Sequence, residues 1–102
     1  MNTTENLLVT VMEEAGELVQ DVSKVLRFGL TCYHPADATK GTNEQRMLTE
    51  YYQLIAVMEM LFESGAIRCM APEDIEMIKS LKRQKVAEYQ RVSHQLGKIK
   101  EG

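Results

Sequence analysis

The stretch that decides the fold is residues 4–27, TENLLVTVMEEAGELVQDVSKVLR. Its apolar residues recur at spacings of three, four and seven, which place side chains on one face of an α-helix. They are Leu7, Leu8, Val11, Ala15, Leu18, Val19, Val22, Val25 and Leu26. Asn2 or Thr3 can cap the first turn, and Gly29 is a usual stop signal. The sequence therefore predicts a first helix over about residues 4–27.

Two further helices are predicted after this one. Residues 29–41 contain a proline, two glycines and no apolar period, which indicates a loop. Thr42 and Gln45 fit a capping box that opens a second apolar series, so we expect a second helix over about residues 43–64. Pro72, followed by two acids, indicates the start of a third helix over about residues 72–96. We therefore expect an all-α protein.

The composition is that of one globular domain over residues 1–102, with 44% hydrophobic and 26% charged residues. A bundle of three main helices in a chain this small is expected to complete its core by forming a homodimer or homotetramer. No apolar run approaches the roughly 18–20 residues that span a bilayer, and the N-terminus lacks a basic region. Cys32 and Cys69 are too few for a disulfide framework. We expect a cytoplasmic protein that is not membrane-bound.

Charge is distributed unevenly along the chain, whose formal net charge is −3. Residues 1–66 contain ten acids and four bases, whereas the remainder contains eight bases and five acids. This pattern fits a site that binds a metal cation and phosphate groups, but charge alone favours an ordinary solvated helix surface. No direct contact with nucleic acid is expected, because the chain is acidic and its basic segment over residues 79–85 has no aromatic residues.

Acidic residues follow one flank of each of the first two apolar faces. On a helical wheel Glu14, Glu17 and Asp21 lie together on the first helix, and Glu50 and Gln53 occupy the matching flank of the second. If the helices pack side by side, four of these residues are expected to converge on one groove: Glu14, Glu17, Glu50 and Gln53. Clustered carboxylates repel one another unless a cation lies among them, and Mg²⁺ prefers such oxygen ligands. The alternative is a solvated surface with simple ion pairing to Lys24.

Four short segments carry a resemblance to a known family. Residues 13–17 (EEAGE) form an EExxE motif, residues 22–24 (VSK) and 27–29 (RFG) follow it, and residues 50–53 (EYYQ) lie on the next helix. Over these segments the chain resembles the MazG-like all-α nucleoside triphosphate pyrophosphohydrolases, particularly short phage-encoded members. The resemblance implies Mg²⁺-dependent hydrolysis of a ribo- or deoxynucleoside triphosphate to the monophosphate and pyrophosphate, in the host cytoplasm for a phage protein.

The resemblance also implies roles for particular residues. Glu14, Glu17 and Glu50 match metal ligands, and Gln53 stands where the family has an aspartate. Glu13, Glu14 and Glu17 match the catalytic acids, and Asp21 is a candidate replacement for the missing acid. Basic residues are candidate phosphate contacts: Lys24, Arg27, Lys79, Lys82 and Arg83. Tyr33 and Tyr52 are candidates for stacking on a base, because Tyr51 falls on the apolar face of its helix.

Two alternative functions remain open at this point. Gln53 places a neutral amide where the family has a charged ligand, which favours a protein that binds or sequesters a nucleotide without hydrolysing it. In the third hypothesis the chain is a structural helical bundle that acts through protein contacts, and its acids only solvate the surface.

Overall fold

The structure is a computed structural model that describes residues 1–33, 36 and 38–100. These residues form three α-helices, Thr3–Phe28 (α1), Asn43–Glu63 (α2) and Pro72–Gln95 (α3), with a short 3-10 helix at Ala38–Lys40 and no strand in the described part of the chain. The predicted all-α class is confirmed, and each helix end lies within one residue of its predicted position. Residues 34, 35 and 37 of the predicted loop lie outside the described residues.

The chain divides into two compact units, Met1–Arg68 and Cys69–Gly102. The first contains α1, α2 and all of the candidate metal ligands. The second contains α3, which begins with Pro72 in its first turn and is followed by Gly97 in a left-handed conformation (φ 73°). None of the helices in the described residues combines the length and the apolar character that crossing a bilayer requires.

Side chains at the helix ends define the bounds of α1 and α2. The Asn2 side chain accepts a hydrogen bond from the Glu5 N–H (2.8 Å), which caps α1. Thr42 and Gln45 form the predicted capping box: the Gln45 N–H donates to Thr42 Oγ1 (3.2 Å) and the Thr42 N–H donates to Gln45 Oε1 (2.8 Å). Gly41, with φ 83°, lies so close to this box that an added Cβ would be 2.5 Å from Gln45 Oε1.

Asn43, at the start of α2, forms hydrogen bonds with the residues that follow α1. Its side-chain Nδ2 donates to the Gly29 carbonyl (3.0 Å), and its backbone N–H donates to the Cys32 carbonyl (2.8 Å). The Glu44 N–H adds a bond to the Leu30 carbonyl (3.0 Å). Asn43 is only 4% exposed. These bonds satisfy the first N–H groups of α2 and hold residues 29–32 against the start of that helix.

The helices α1 and α2 pack antiparallel, since Asp21 pairs with Arg46 whereas the earlier Glu14 lies beside the later Glu50. Their buried and half-buried side chains include a series spaced alternately by four and three residues, which we call the seam. The seam consists of Leu7, Val11, Glu14, Leu18, Asp21 and Val25 on α1 and Asn43, Met47, Glu50, Leu54, Val57 and Leu61 on α2. Three carboxylates therefore occupy positions where packing alone would favour apolar side chains.

The apolar sector of α1 is wider than α2 can cover. Leu8, Met12, Val19, Val22 and Leu26 form a second stripe along α1, and all five are exposed. Of these, Leu8, Val19, Val22 and Leu26 belong to the series that the sequence places on the buried face. They are exposed because one neighbouring helix contacts only one side of a cylinder, and α2 lies over the seam.

Candidate metal and phosphate site

Three glutamates from α1 and α2 meet at the centre of the seam. Glu14 and Glu17 lie on successive turns of α1, and Glu50 faces them from α2. One carboxylate oxygen from each lies within 4.8 Å of the other two. Glu14 and Glu50 are half-buried, whereas Glu17 is exposed. We call Glu14, Glu17 and Glu50 the carboxylate cluster.

Gln53, one turn after Glu50 on α2, contacts the cluster through its amide. In the orientation that its surroundings require, the amide nitrogen lies 3.1 and 3.2 Å from the two carboxylate oxygens of Glu50 and 3.3 Å from Glu14 Oε2. The amide therefore donates hydrogen bonds to two of the three acids and reduces their mutual repulsion. To coordinate a cation, Gln53 would have to turn its carbonyl oxygen inward instead.

Burial raises the pKa of Glu50 from its ordinary 4.5 to about 7. Hydrogen bonds with Glu14 and Glu17, which favour the protonated form, and the negative charges of both groups act in the same direction. The carboxylate cluster therefore retains a proton close to neutral pH when no cation neutralises it. A divalent cation placed among the three oxygens would displace that proton.

The donor set fits a hard divalent cation. In octahedral Mg²⁺ coordination with bonds of about 2.1 Å, neighbouring ligand oxygens are roughly 3.0 Å apart and opposite ones roughly 4.2 Å apart. Separations of up to 4.8 Å in the cluster can reach these values by rotation of the glutamate side chains. Glu14, Glu17, Glu50 and the carbonyl of Gln53 are therefore the residues that could hold Mg²⁺.

A pocket of about 370 Å³ lies beside the cluster and carries both signs of charge. Three carboxylates line it, from Glu17, Asp21 and Glu50, together with three bases, Lys24, Lys40 and Arg46. We call it the mixed-charge pocket. Lysine and arginine donors close to a cation site provide the contacts that a polyphosphate needs, since its oxygens are shared between metal and protein.

Asp21 and Arg46 form an ion pair on one wall of this pocket. Arg46 Nη2 lies 3.9 Å from Asp21 Oδ1, and Asp21 is only 7% exposed. Arg46 Nη1 is also buried, and the described residues offer it no hydrogen-bond acceptor. Asp21 therefore pairs with Arg46 and is not among the three acids of the cluster. The spacing of Arg46 four residues before Glu50 was the sequence signal that both share one face of α2.

A second pocket, of about 270 Å³, adjoins the mixed-charge pocket where α1 ends and α2 begins. Phe28, Tyr33, Arg27 and Cys32 line it, and it shares Lys24 and Arg46 with the mixed-charge pocket. We call it the aromatic pocket. Sequence reasoning identified Lys24, Arg27 and Tyr33, but it did not identify Phe28, Cys32, Lys40 or Arg46 as site residues.

The remaining candidates from the first unit lie outside these pockets. Glu13 is exposed on α1 and does not belong to the carboxylate cluster. Tyr52 is exposed on α2, and its ring meets the Tyr51 ring edge-on at 4.9 Å between centroids. Tyr51 is itself 45% exposed, so its placement on the covered apolar face was wrong. Tyr51 follows the seam residue Glu50 and therefore lies about 100° around α2 from it, at the margin of the covered face.

Lys79, Lys82 and Arg83 belong to the second unit. They lie along α3 beside Ile78 and Val86, on a largely apolar groove of that helix. Their assignment as phosphate contacts stays a prediction.

Comparisons with protein-family models, with curated proteins and with solved structures find no match to this chain.

Proposed function

We propose that the chain is a cytoplasmic, Mg²⁺-dependent nucleoside triphosphate pyrophosphohydrolase of the MazG-like type, which converts a (d)NTP to the (d)NMP and pyrophosphate. The observation that carries the proposal is the meeting of Glu14, Glu17 and Glu50 within 4.8 Å at the seam. Two half-buried glutamates in an otherwise largely apolar seam cost stability, and a function that uses their charge explains why they are there. The EExxE motif and the EYYQ segment, which resemble the family signature, supply these same residues.

Glu14, Glu17 and Glu50 would hold the Mg²⁺, with Gln53 able to add its carbonyl oxygen. The bound cation supplies charge neutralisation on the phosphate oxygens and lowers the pKa of a coordinated water. Lys24, Lys40 and Arg46 bind the phosphates from the adjoining mixed-charge pocket. Asp21 holds Arg46 in place, since the half-buried guanidinium has this carboxylate as its charged partner. Glu13 remains a candidate for orienting water by the resemblance alone.

The test is product identification after incubation with Mg²⁺ and a panel of ribo- and deoxynucleoside triphosphates. Mass spectrometry should find the monophosphate and pyrophosphate in equal amounts from at least one nucleotide. Glu17→Gln should abolish turnover, because it removes one negative charge from the carboxylate cluster. Glutamine has nearly the same size as glutamate and position 17 is exposed on α1, so the fold should be unchanged. Glu59→Gln is the matched control, since Glu59 is an exposed glutamate on α2 outside the cluster, and it should retain full turnover.

Two results would contradict the proposed reaction. One is hydrolysis that Glu17→Gln leaves unchanged, because the cluster would then be uninvolved. The other is the absence of product from every nucleotide. If Mg²⁺ and nucleotides also leave the thermal stability unchanged, the structural helical bundle becomes the better account of the chain.

A second candidate function rests on the contacts of Gln53. Its amide already donates to Glu50 and Glu14, so the repulsion within the cluster is reduced without any cation. A cluster that needs Mg²⁺ less fits a protein that binds a nucleotide without hydrolysing it. Gln53→Asp separates the two functions. If the natural chain only binds, the extra carboxylate should create hydrolysis, and intact nucleotide should be released from the unsubstituted chain on denaturation.

We also propose that the chain associates with a second copy of itself through the second stripe. The residues of the second stripe recur at spacings of four, seven, three and four, which is the pattern of a helix-packing surface: Leu8, Met12, Val19, Val22 and Leu26. Val19, at 69% exposure, is near its middle. Light scattering after size exclusion should give a dimer or tetramer, and Val19→Glu should shift it toward the monomer. A monomeric unsubstituted chain would contradict this proposal.

A further inference from the structure

The aromatic pocket and the mixed-charge pocket adjoin each other and share two lining residues. Lys24 and Arg46 line both of them, so a single ligand can extend from one into the other past these two side chains. Their volumes, about 370 and 270 Å³, lie close to the lower end of the range of about 300–1,000 Å³ for small-molecule sites. Taken together they accommodate an elongated ligand better than a compact one.

The two pockets differ in chemistry. The mixed-charge pocket is lined by carboxylates and bases, whereas the aromatic pocket presents the rings of Phe28 and Tyr33 with the Arg27 guanidinium 5.3 Å from the Phe28 ring centre. Aromatic rings and guanidinium planes bind flat heterocycles by stacking. The lining therefore suits a ligand with a planar ring at one end and phosphates at the other.

Arg46 provides an independent sign of a ligand at the junction of the pockets. Its Nη1 is buried and lacks an acceptor among the described residues, while its Nη2 lies 3.9 Å from Asp21. A buried donor without a partner costs free energy, and an oxygen of a bound ligand would satisfy it. The junction is where the sugar or the first phosphate of a nucleotide would lie.

Backbone hydrogen bonds hold the walls of the aromatic pocket. Cys32 receives a bond from the Asn43 N–H (2.8 Å), and Tyr33 pairs with Thr42 in an isolated β-bridge. Asn43 also fixes Gly29, directly after Phe28, by a side-chain bond to its carbonyl (3.0 Å). The pocket is therefore formed before a ligand arrives, which lowers the entropy cost of binding.

We propose that the aromatic pocket is the base subsite, in which Phe28 and Tyr33 hold the heterocyclic base of a nucleotide whose phosphates lie in the mixed-charge pocket. The proposal rests on the proposed function for the position of the phosphates. It assigns the stacking role to Tyr33, not to Tyr52.

Cys32 allows a test that does not depend on turnover. In the Cys69→Ser chain, Cys32 is the single thiol, and it is exposed in the aromatic pocket. We would measure its rate of modification by a disulfide reagent with Mg²⁺ and either a nucleotide whose α–β bridge is a methylene group or inorganic tripolyphosphate. The nucleotide should slow modification at least 10-fold. Tripolyphosphate, which lacks the base, should leave the rate within 2-fold of the ligand-free value.

Substitutions of the two tyrosines provide the matched comparison. Tyr33→Ala should weaken binding of the nucleotide analogue by about 5- to 150-fold, the loss typical of one stacking contact, and leave tripolyphosphate binding unchanged. Tyr33→Phe should restore nucleotide binding, because the ring carries the interaction. Tyr52→Ala should change neither affinity. Tyr33 is 58% exposed, so its truncation leaves the packing of the helices intact.

The outcomes separate this proposal from the one on which it rests. If nucleotide and tripolyphosphate bind equally well, and Tyr33→Ala and Cys32 modification show no effect of the base, the base subsite is wrong while the phosphate site stands. If neither ligand binds in the presence of Mg²⁺, both proposals are overturned. Protection of Cys32 by the nucleotide together with an intact affinity in Tyr33→Ala would also contradict the role of Tyr33.

Discussion

Replacing Glu50 with glutamine should stabilise the metal-free protein at alkaline pH. Burial and the neighbouring Glu14 and Glu17 raise the pKa of Glu50 to about 7 from 4.5, so the folded chain holds this proton more tightly than the unfolded chain. A raised carboxyl pKa contributes stability that is fully present below about pH 4.5 and lost as the pH rises through about 7. Glutamine has no proton to lose and avoids that loss.

The size of the effect follows from the shift in pKa. At about 1.4 kcal/mol per pKa unit, a change from 4.5 to about 7 gives an upper bound of about 3–4 kcal/mol. Water and salt screen part of the repulsion around the exposed Glu17, so we expect about 1–2 kcal/mol at pH 8. At pH 4.5 the two chains should be nearly equal in stability.

Urea unfolding followed by circular dichroism, with EDTA present, measures the difference. Glu59→Gln is the control, because Glu59 carries the same charge on the exposed surface of α2 and its substitution should change stability by less than about 0.5 kcal/mol. The reasoning is refuted if Glu50→Gln is no more stable than the unsubstituted chain at pH 8. Equal gains from Glu50→Gln and Glu59→Gln would refute it too, since the effect would then reflect net charge alone.

Three further predictions follow from the same structure. Mg²⁺ should raise the melting temperature of the unsubstituted chain more at pH 8 than at pH 5, because protons compete with the cation for the carboxylate cluster at low pH. A rise in melting temperature that does not depend on pH would place the cation at another site. Arg46→Met should lower the free energy of unfolding by about 1–3 kcal/mol, because it leaves the buried Asp21 without its partner. Adding Asp21→Asn to Arg46→Met should recover part of this loss. No recovery would show that the pair does not contribute to stability. Gly41→Ala should lower the free energy of unfolding by about 1–2 kcal/mol, because Gly41 has φ 83° and the new Cβ would disrupt the capping box. Gly16→Ala within α1 meets no atom within 4 Å and should raise the free energy of unfolding by about 0.5–1 kcal/mol. Unfolding measurements that rank these two variants the other way would contradict this account of the turn.

The helices and their ends were predictable because they depend on local signals. Apolar periodicity located α1 and α2, and the capping box of Thr42 and Gln45 is present as predicted. The predicted meeting of Glu14 with Glu50 needed only one further assumption, that consecutive helices pack side by side. A helical wheel then gives the direction in which each side chain points from the axis of its helix.

The pairing partners and the pockets were not predictable in the same way. A wheel does not give the rotation of one helix against another, so it did not reveal that Asp21 pairs with Arg46 or that Tyr51 is exposed. Cys32 and Lys40 line their pockets from positions outside α1 and α2, where no apolar period predicts the direction of a side chain. The carbonyls of Gly29, Leu30 and Cys32 accept hydrogen bonds from Asn43 and Glu44, and no periodic pattern encodes these bonds.

The measurement that tests the central claim most directly is a count of divalent cations held by the carboxylate cluster. Mn²⁺, which accepts the same oxygen ligands as Mg²⁺, can be titrated into the protein together with the methylene nucleotide analogue, and electron paramagnetic resonance reports the free ion. The account predicts at least one bound Mn²⁺ per chain, lost or weakened at least 10-fold in Glu17→Gln and retained in Glu59→Gln. Mn²⁺ binding of equal strength in all three chains would contradict it.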